Sequence, residues 1–156
     1  DWYGRDPGPT PSLVTSPGST QAIVAALSQP GPVHVESEEI GHDASILNAM
    51  EAKGADLDVI LPDTAEQANG STLATLAQHG VQIHLMPRRP LYMHAKMIVG
   101  NQIAFVGSQN FSSTSLEGNR EVGVYLAPEI YAPPLQATFM ADWSASAPLE
   151  GQQGEW

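Results

Sequence analysis

The chain has 156 residues, enough for one domain with a sizeable buried core. Its formal net charge of −11, from 17 acidic and 6 basic residues, argues against a generic binder of duplex nucleic acid. The absence of cysteine excludes disulfides, thiolate metal sites and a cysteine nucleophile, and leaves the compartment open.

No apolar run approaches the roughly 20 residues a membrane span needs. The opening DWYGRDPGPTPS lacks the basic start and apolar centre of a signal peptide. A soluble protein is expected. Secretion or a periplasmic location after processing stays open, because the sequence starts at Asp1 rather than Met.

Residues 1–11 are rich in Pro and Gly and read as an arm or linker. A single domain is expected over 12–144, followed by a small polar tail over 145–156. Ser12–Thr15 reads as a strand, and Gln21–Ser28 as a helix entered through Ser19 or Thr20. Val33–Glu36 is a second strand. Asp43 caps a helix to Lys53, with Ile46, Leu47 and Met50 on one face and Gly54 as its stop. Leu57–Leu61 is continuous and apolar, as expected of a strand covered on both sides. Pro62–Gly70 reads as a loop, Ser71–His79 as a helix and Val81–Leu85 as a strand.

The segment that follows carries the chemistry. Met97–Val99 and Ile103–Val106 are short apolar runs separated by Gly100-Asn101, a turn signal between tightly joined strands. His94 and Lys96 precede the first run and share a face if the extended geometry already holds there. Gly107, Ser108 and Asn110 follow the second run. Asn119-Arg120-Glu121 leads into a third, Val122–Leu126, and a last helix is expected from Pro128 to Trp143. Alternating strands and helices predict an α/β fold, a mixed β-sheet with helices on both faces, parallel early and antiparallel late.

His94-x-Lys96, then Gly107-Ser108-x-Asn110, then Asn119-x-Glu121 resembles the phospholipase D superfamily, whose pattern is H-x-K-x4-D with G-S-x-N and N-x-E elements downstream. Looser likeness in LVTSPG at 13–18 and VHVESEEI at 33–40 points to one half of a bacterial phospholipase D-like or cardiolipin-synthase-like protein. Where that pattern has Asp, this chain has Asn101.

The resemblance implies a phosphodiester hydrolase or phosphatidyl transferase that uses no metal or other cofactor. His94 would be the nucleophile that forms a phosphohistidine. Lys96 and Asn110 would hold the phosphate oxygens, Ser108 would support them, and Glu121 would orient the imidazole. Arg88 and Arg89 read either as a solvated loop or as further phosphate-binding groups. The substrate is a phosphodiester, phospholipid first and nucleic acid second. A non-catalytic phosphate-binding half-domain is the reading from another class.

The leaving group needs a second histidine as acid. The chain holds one copy of the motif, so the second comes from a homodimer partner or from the other half of a longer protein. The remaining candidates read as structural. His84 alternates with Ile83 and Leu85 as a strand-face residue, and His79 suits a helix C-terminus. Glu36, Glu38 and Glu39 read as an acidic loop face. Phe139 and Trp143 read as anchors of the last helix.

Overall fold

The computed structural model describes residues 12–151; the expected arm at 1–11 lies outside them. In chain order come β1 (Ser12–Ser16), α1 (Thr20–Leu27), β2 (Val33–Ser37), α2 (Ala44–Lys53), β3 (Leu57–Pro62), α3 (Thr64–Gln78), β4 (Gln82–Met86), β5 (Lys96–Val99), β6 (Ala104–Gly107), β7 (Glu121–Leu126), α4 (Pro128–Ala145) and β8 (Ala147–Pro148). The strands form one sheet in the order β1-β7-β6-β5-β2-β3-β4-β8. The pairs β2–β3 and β3–β4 are parallel, and the other pairs are antiparallel. Thus the sheet is mixed, parallel over β2, β3 and β4, where helices alternate with strands, and antiparallel elsewhere, including β5–β6, whose connection is too short for a crossover.

Helices cover both faces. Ile23 and Leu27 of α1, Ile46 and Met50 of α2, and Leu73 and Leu76 of α3 pack with Val35, Val59 and Ile98 on one side. On the other side Ala132 and Phe139 of α4 pack with Ile60, Met97 and Val99. Neighbouring residues of β5 and β3 thus serve opposite cores, and this is why these strands carry no polar alternation.

Two expectations are corrected here. The stretch 62–70 is no loop, because α3 begins at Thr64 and passes through a non-helical Asn69. The Asn69 amide donates to the Ile40 carbonyl at 2.9 Å, a tertiary bond that fixes the break and has no local sequence signal. Residues 147–149, within the expected tail, join the sheet edge: β8 pairs with β4, the Leu149 N–H donates to the Ile83 carbonyl, and Leu149 is buried.

Gln29 holds the turn between β5 and β6. Buried after α1, its Oε1 accepts from the N–H groups of Gln102 (2.9 Å) and Ile103 (2.8 Å), and its Nε2 donates to the carbonyls of Ala26 and Ile103. A Cβ on Gly100 would fall 2.4 Å from this side chain, so glycine is required for the approach. Asn101, standing where the family pattern has Asp, is exposed in the same turn. Gln29→Ala leaves two N–H groups unpaired and is expected to destabilise the fold by about 2–4 kcal/mol, read as a lowered urea midpoint at unchanged slope.

Candidate active site

The site lies at one end of the sheet, where β2 and β6 leave it and β5 and β7 enter. The ladder sets Ser37 of β2 against Lys96 of β5, and Gly107 of β6 against Gly123 of β7. That glycine pair is steric: a Cβ on Gly123 would sit 2.5 Å from the Phe105 ring and 2.8 Å from Gln109 Oε1. Gln109 in turn donates to the Val14 carbonyl, tying the Gly107–Asn110 exit to β1.

His94 and Lys96 share a face. Lys96 Nζ lies 3.0 Å from His94 Nδ1 and donates to the His94 carbonyl at 2.9 Å. Lys96 is buried and His94 is exposed. The carboxylate that meets both is Glu38, just beyond β2. Its Oε2 is 2.9 Å from Lys96 Nζ, 3.0 Å from His94 Nε2 and 3.4 Å from Asn110 Nδ2. Three groups from two distant stretches therefore converge on one oxygen. Burial raises the Glu38 pKa, but the Lys96 hydrogen bond and charge, with Asn110 and His94, outweigh it and hold the carboxyl below its usual value. Glu38 stays ionised beside the ammonium.

Glu121, expected to orient the imidazole, hydrogen-bonds other groups among the described residues. It accepts from Ser108 Oγ at 2.5 Å, Ser115 Oγ at 3.0 Å and Asn119 Nδ2 at 3.3 Å. The Ser108 bond is the largest cause of its lowered pKa. Ser108 Oγ also accepts from the Val122 N–H. Ser108 and Glu121 thus build the wall beside Asn110, whose N–H donates to Ser115 Oγ in a π-helical turn over Thr114–Gly118.

Only part of the acidic run is a loop face: Glu38 and Glu39 follow β2, and Glu39 is exposed. Glu36 lies inside β2, paired with Ile60 and Met97, and is only 2% exposed. Glu38 was missed because its partners are 56 and 58 positions away at His94 and Lys96, beyond any local spacing rule. A signal existed only in the ladder, which brings the end of β2 beside the start of β5.

Arg89 lines the cavity that His94 also lines, whereas Arg88 does not reach it. Instead the Arg88 N–H donates to Asp63 Oδ2. His79 is the C-terminal cap of α3, as expected. His84 stacks on Trp143 with ring centroids 3.5 Å apart, and Phe139 is fully buried. Asp43 caps α2 through Ser45 and Ile46, and accepts from Ser113.

Burial raises the Glu36 carboxyl from its usual 4.5 to about 7, helped by the Asp142 carboxyl on α4, whose charge opposes ionisation and which can accept a hydrogen bond from Glu36 only when Glu36 is protonated. Arg89 and His94 are the other charged or titratable groups lining this cavity beside that pair, with Tyr92. A raised pKa means that the folded state keeps its proton longer than the unfolded chain. Stability is therefore full below pH 4.5 and is lost as pH rises towards 7. At about 1.4 kcal/mol per tenfold change in proton affinity, the loss is on the order of 2–3 kcal/mol. Glu36→Gln is expected to remove this pH dependence, measured by denaturant unfolding at pH 5 and pH 8.

The fold and site together define a phospholipase D-like domain. The family model described as cardiolipin synthase, PLD-like domain, matches residues 33–143, well over half of the chain, and the chain belongs to that family. Solved structures agree in fold. NucT from Helicobacter pylori superposes with a TM-score of 0.77 at 16% identity, covering 90% of this chain and 99% of that one. The phospholipase D family member Nuc from Salmonella typhimurium gives 0.75 at 16% identity, covering 90% and 97%. Phosphatidylserine synthase from Haemophilus influenzae Rd KW20 gives 0.67 at 8% identity, covering 89% of this chain and 39% of that one. No curated protein matches in sequence. Among the described residues, no helix is long and apolar enough to cross a membrane.

Proposed function

We propose that this domain is a metal-independent phosphodiester hydrolase or phosphatidyl transferase that works through His94. The observation that carries this reading is the convergence of His94, Lys96 and Asn110 on Glu38 Oε2. Donors that already meet around one carboxylate oxygen are suited to meet around a phosphoryl oxygen.

With its proton on Nε2, the imidazole donates to Glu38; in the resting chain the lone pair on Nδ1 faces Lys96 Nζ, and a bound phosphate that takes up the ammonium frees this nitrogen. That nitrogen attacks phosphorus, the bond from phosphorus to the leaving oxygen breaks, and an acid protonates the alkoxide. Lys96 and Asn110 stabilise the charge on the non-bridging oxygens. Water or an alcohol then attacks the phosphohistidine and gives its proton back to the group that protonated the alkoxide, breaking the P–N bond and returning the imidazole. Glu38 takes the orienting role that the family pattern gives Glu121, while Glu121 and Ser108 hold the wall of the site. Arg89 is placed to attract the anionic substrate.

The acid is His94 of a second copy across a two-fold axis. A bare sheet face beside the site supports this. α4 crosses β4, β2, β5 and β6, and on the same face Leu13 and Val122 of the outer strands are 72% and 59% exposed. Val106 and Val124 lie in one cross-strand row with Leu13, making with Val122 an apolar patch at the sheet end where the Val122 N–H donates to Ser108 Oγ. Val122→Asp is expected to convert a dimer of twice the 16.6 kDa chain mass into monomer and to lower turnover at least about tenfold. Light scattering with parallel assays checks both. A wild-type monomer with full activity would contradict the dimer.

A second reading, cleavage of nucleic-acid phosphodiesters, draws on the near-complete coverage of Nuc and NucT; the charge of −11 weighs against it. Assays of a phosphatidyl substrate, single-stranded DNA and duplex DNA, all with chelator, decide between them. Turnover of the phosphatidyl substrate is expected. Turnover of DNA alone would move the assignment to the second reading, and loss of all turnover in chelator would contradict a metal-independent reaction.

A further inference from the structure

On the α4 side of the sheet, a cavity of about 540 Å³ opens beside His94, with Glu36, Asp142, Tyr92, Met86 and Met93 among its walls. This volume suits a small molecule or the head of a larger one. Its polar feature is unusual. Glu36 is 98% buried, and its Oε1 has no hydrogen-bond partner. The facing group is Asp142, another carboxyl. Two ionised carboxylates can only accept hydrogen bonds, so the pair lacks a donor between its members. Leaving buried acceptors unpaired is costly.

A proton can fill that gap, and the raised pKa of Glu36 shows how strongly the pair draws one. A ligand can fill it better near neutral pH. A hydroxyl brings one donor and no charge, and a quaternary ammonium brings charge and no N–H. A primary ammonium brings three donors and a full positive charge in a compact group. Met86, Met93 and the Tyr92 ring would exclude water around it and strengthen the charge interaction. Arg89 at the rim forms no ion pair among the described residues, so it does not already serve this need.

We propose that this cavity is a subsite for a primary ammonium on the alcohol portion of the substrate, held between Glu36 and Asp142 while the phosphate lies against His94 and Lys96. The inference rests on the phosphodiesterase reading and narrows the substrate to phosphodiesters of amino alcohols. His94 joins the two regions, because it lines the cavity and also touches Glu38.

Titration calorimetry of the full chain with glycerophosphoethanolamine and glycerophosphoglycerol at pH 8 tests it. The aminated diester is expected to bind at least tenfold more tightly. That ratio should fall to within twofold in both Glu36→Gln and Asp142→Asn, and should shrink in wild type at pH 5.5, where a proton occupies the pair. Equal binding of the two diesters, no binding of either, or a preference that survives both substitutions would overturn the subsite. Hydrolysis of bis(p-nitrophenyl) phosphate, which has no ammonium, reports on the phosphodiesterase reading separately. Its absence, with the amine preference intact, would overturn the enzyme and keep the subsite.

Discussion

Replacing His94 with Ala is expected to lower kcat/KM for any cleaved phosphodiester by on the order of 10⁴-fold or more, because a two-step displacement loses its nucleophile. The imidazole is exposed and contributes little packing, so the variant should unfold at nearly the wild-type denaturant midpoint. The two readouts together separate a chemical role from a structural one. His94→Asn should behave like the Ala variant, since an amide of similar size cannot form the phosphorylated intermediate. A His94→Ala protein as active as the parent would contradict the enzyme reading outright.

Lys96→Met is expected to produce the second large effect, a fall in kcat of roughly 10²–10³-fold from the loss of a charged donor at the transferred phosphoryl group. It should also change the resting protein. Lys96 is nearly fully buried, and its ammonium contacts Glu38 and His94 together. Without it, burial still raises the Glu38 carboxyl while its main stabilising partner is gone. The Glu38 pKa is therefore expected to climb above its usual value in the variant, and activity that remains should fall as Glu38 takes up a proton. Carboxyl-resolved NMR titration of both proteins measures this shift directly. Glu38 titrating below its ordinary value in wild type and above it in Lys96→Met is the predicted result.

Much of the architecture was legible because its causes are local. The Gly100-Asn101 turn forces β5 and β6 to be antiparallel neighbours. The apolar run at Leu57–Leu61 announces a strand covered by helices on both faces. The polar groups of HAK, GSQN and NRE stand at strand ends, so any sheet that pairs those strands in register gathers them. Physical contacts across the sheet were not legible. Nothing near Glu38 distinguishes it from Glu36 and Glu39; only the Ser37–Lys96 register brings it to the imidazole. Gln29 looks like part of a Pro/Gly turn, yet it takes up the N–H groups of a turn over 70 positions away. The helix from Thr64 was hidden by Asn69 and Gly70, because a broken helix and a loop share the same breakers, and the Asn69 bond to Ile40 decides between them.

Glu38 and Glu36 divide the work of one strand. Alternation along β2 sends Glu36 to the α4 side, where burial and Asp142 favour its protonated form, while the chain beyond the strand brings Glu38 to Lys96, which favours its ionised form. Two carboxyls two residues apart are thus driven in opposite directions by their surroundings, a pattern expected where a site needs both a fixed anion and a group able to accept a cation.

The proposed mechanism requires that His94 become covalently phosphorylated during turnover without a metal. The most direct measurement is peptide mass analysis of protein quenched at alkaline pH during steady-state turnover of a phosphodiester in excess chelator. An adduct on the His94 peptide, a phosphoryl group still carrying one of the substrate's two ester groups, is expected to appear within the first turnovers and to be absent from His94→Ala. Turnover at full rate with no adduct on that peptide, or turnover that stops when metal is removed, would contradict that mechanism.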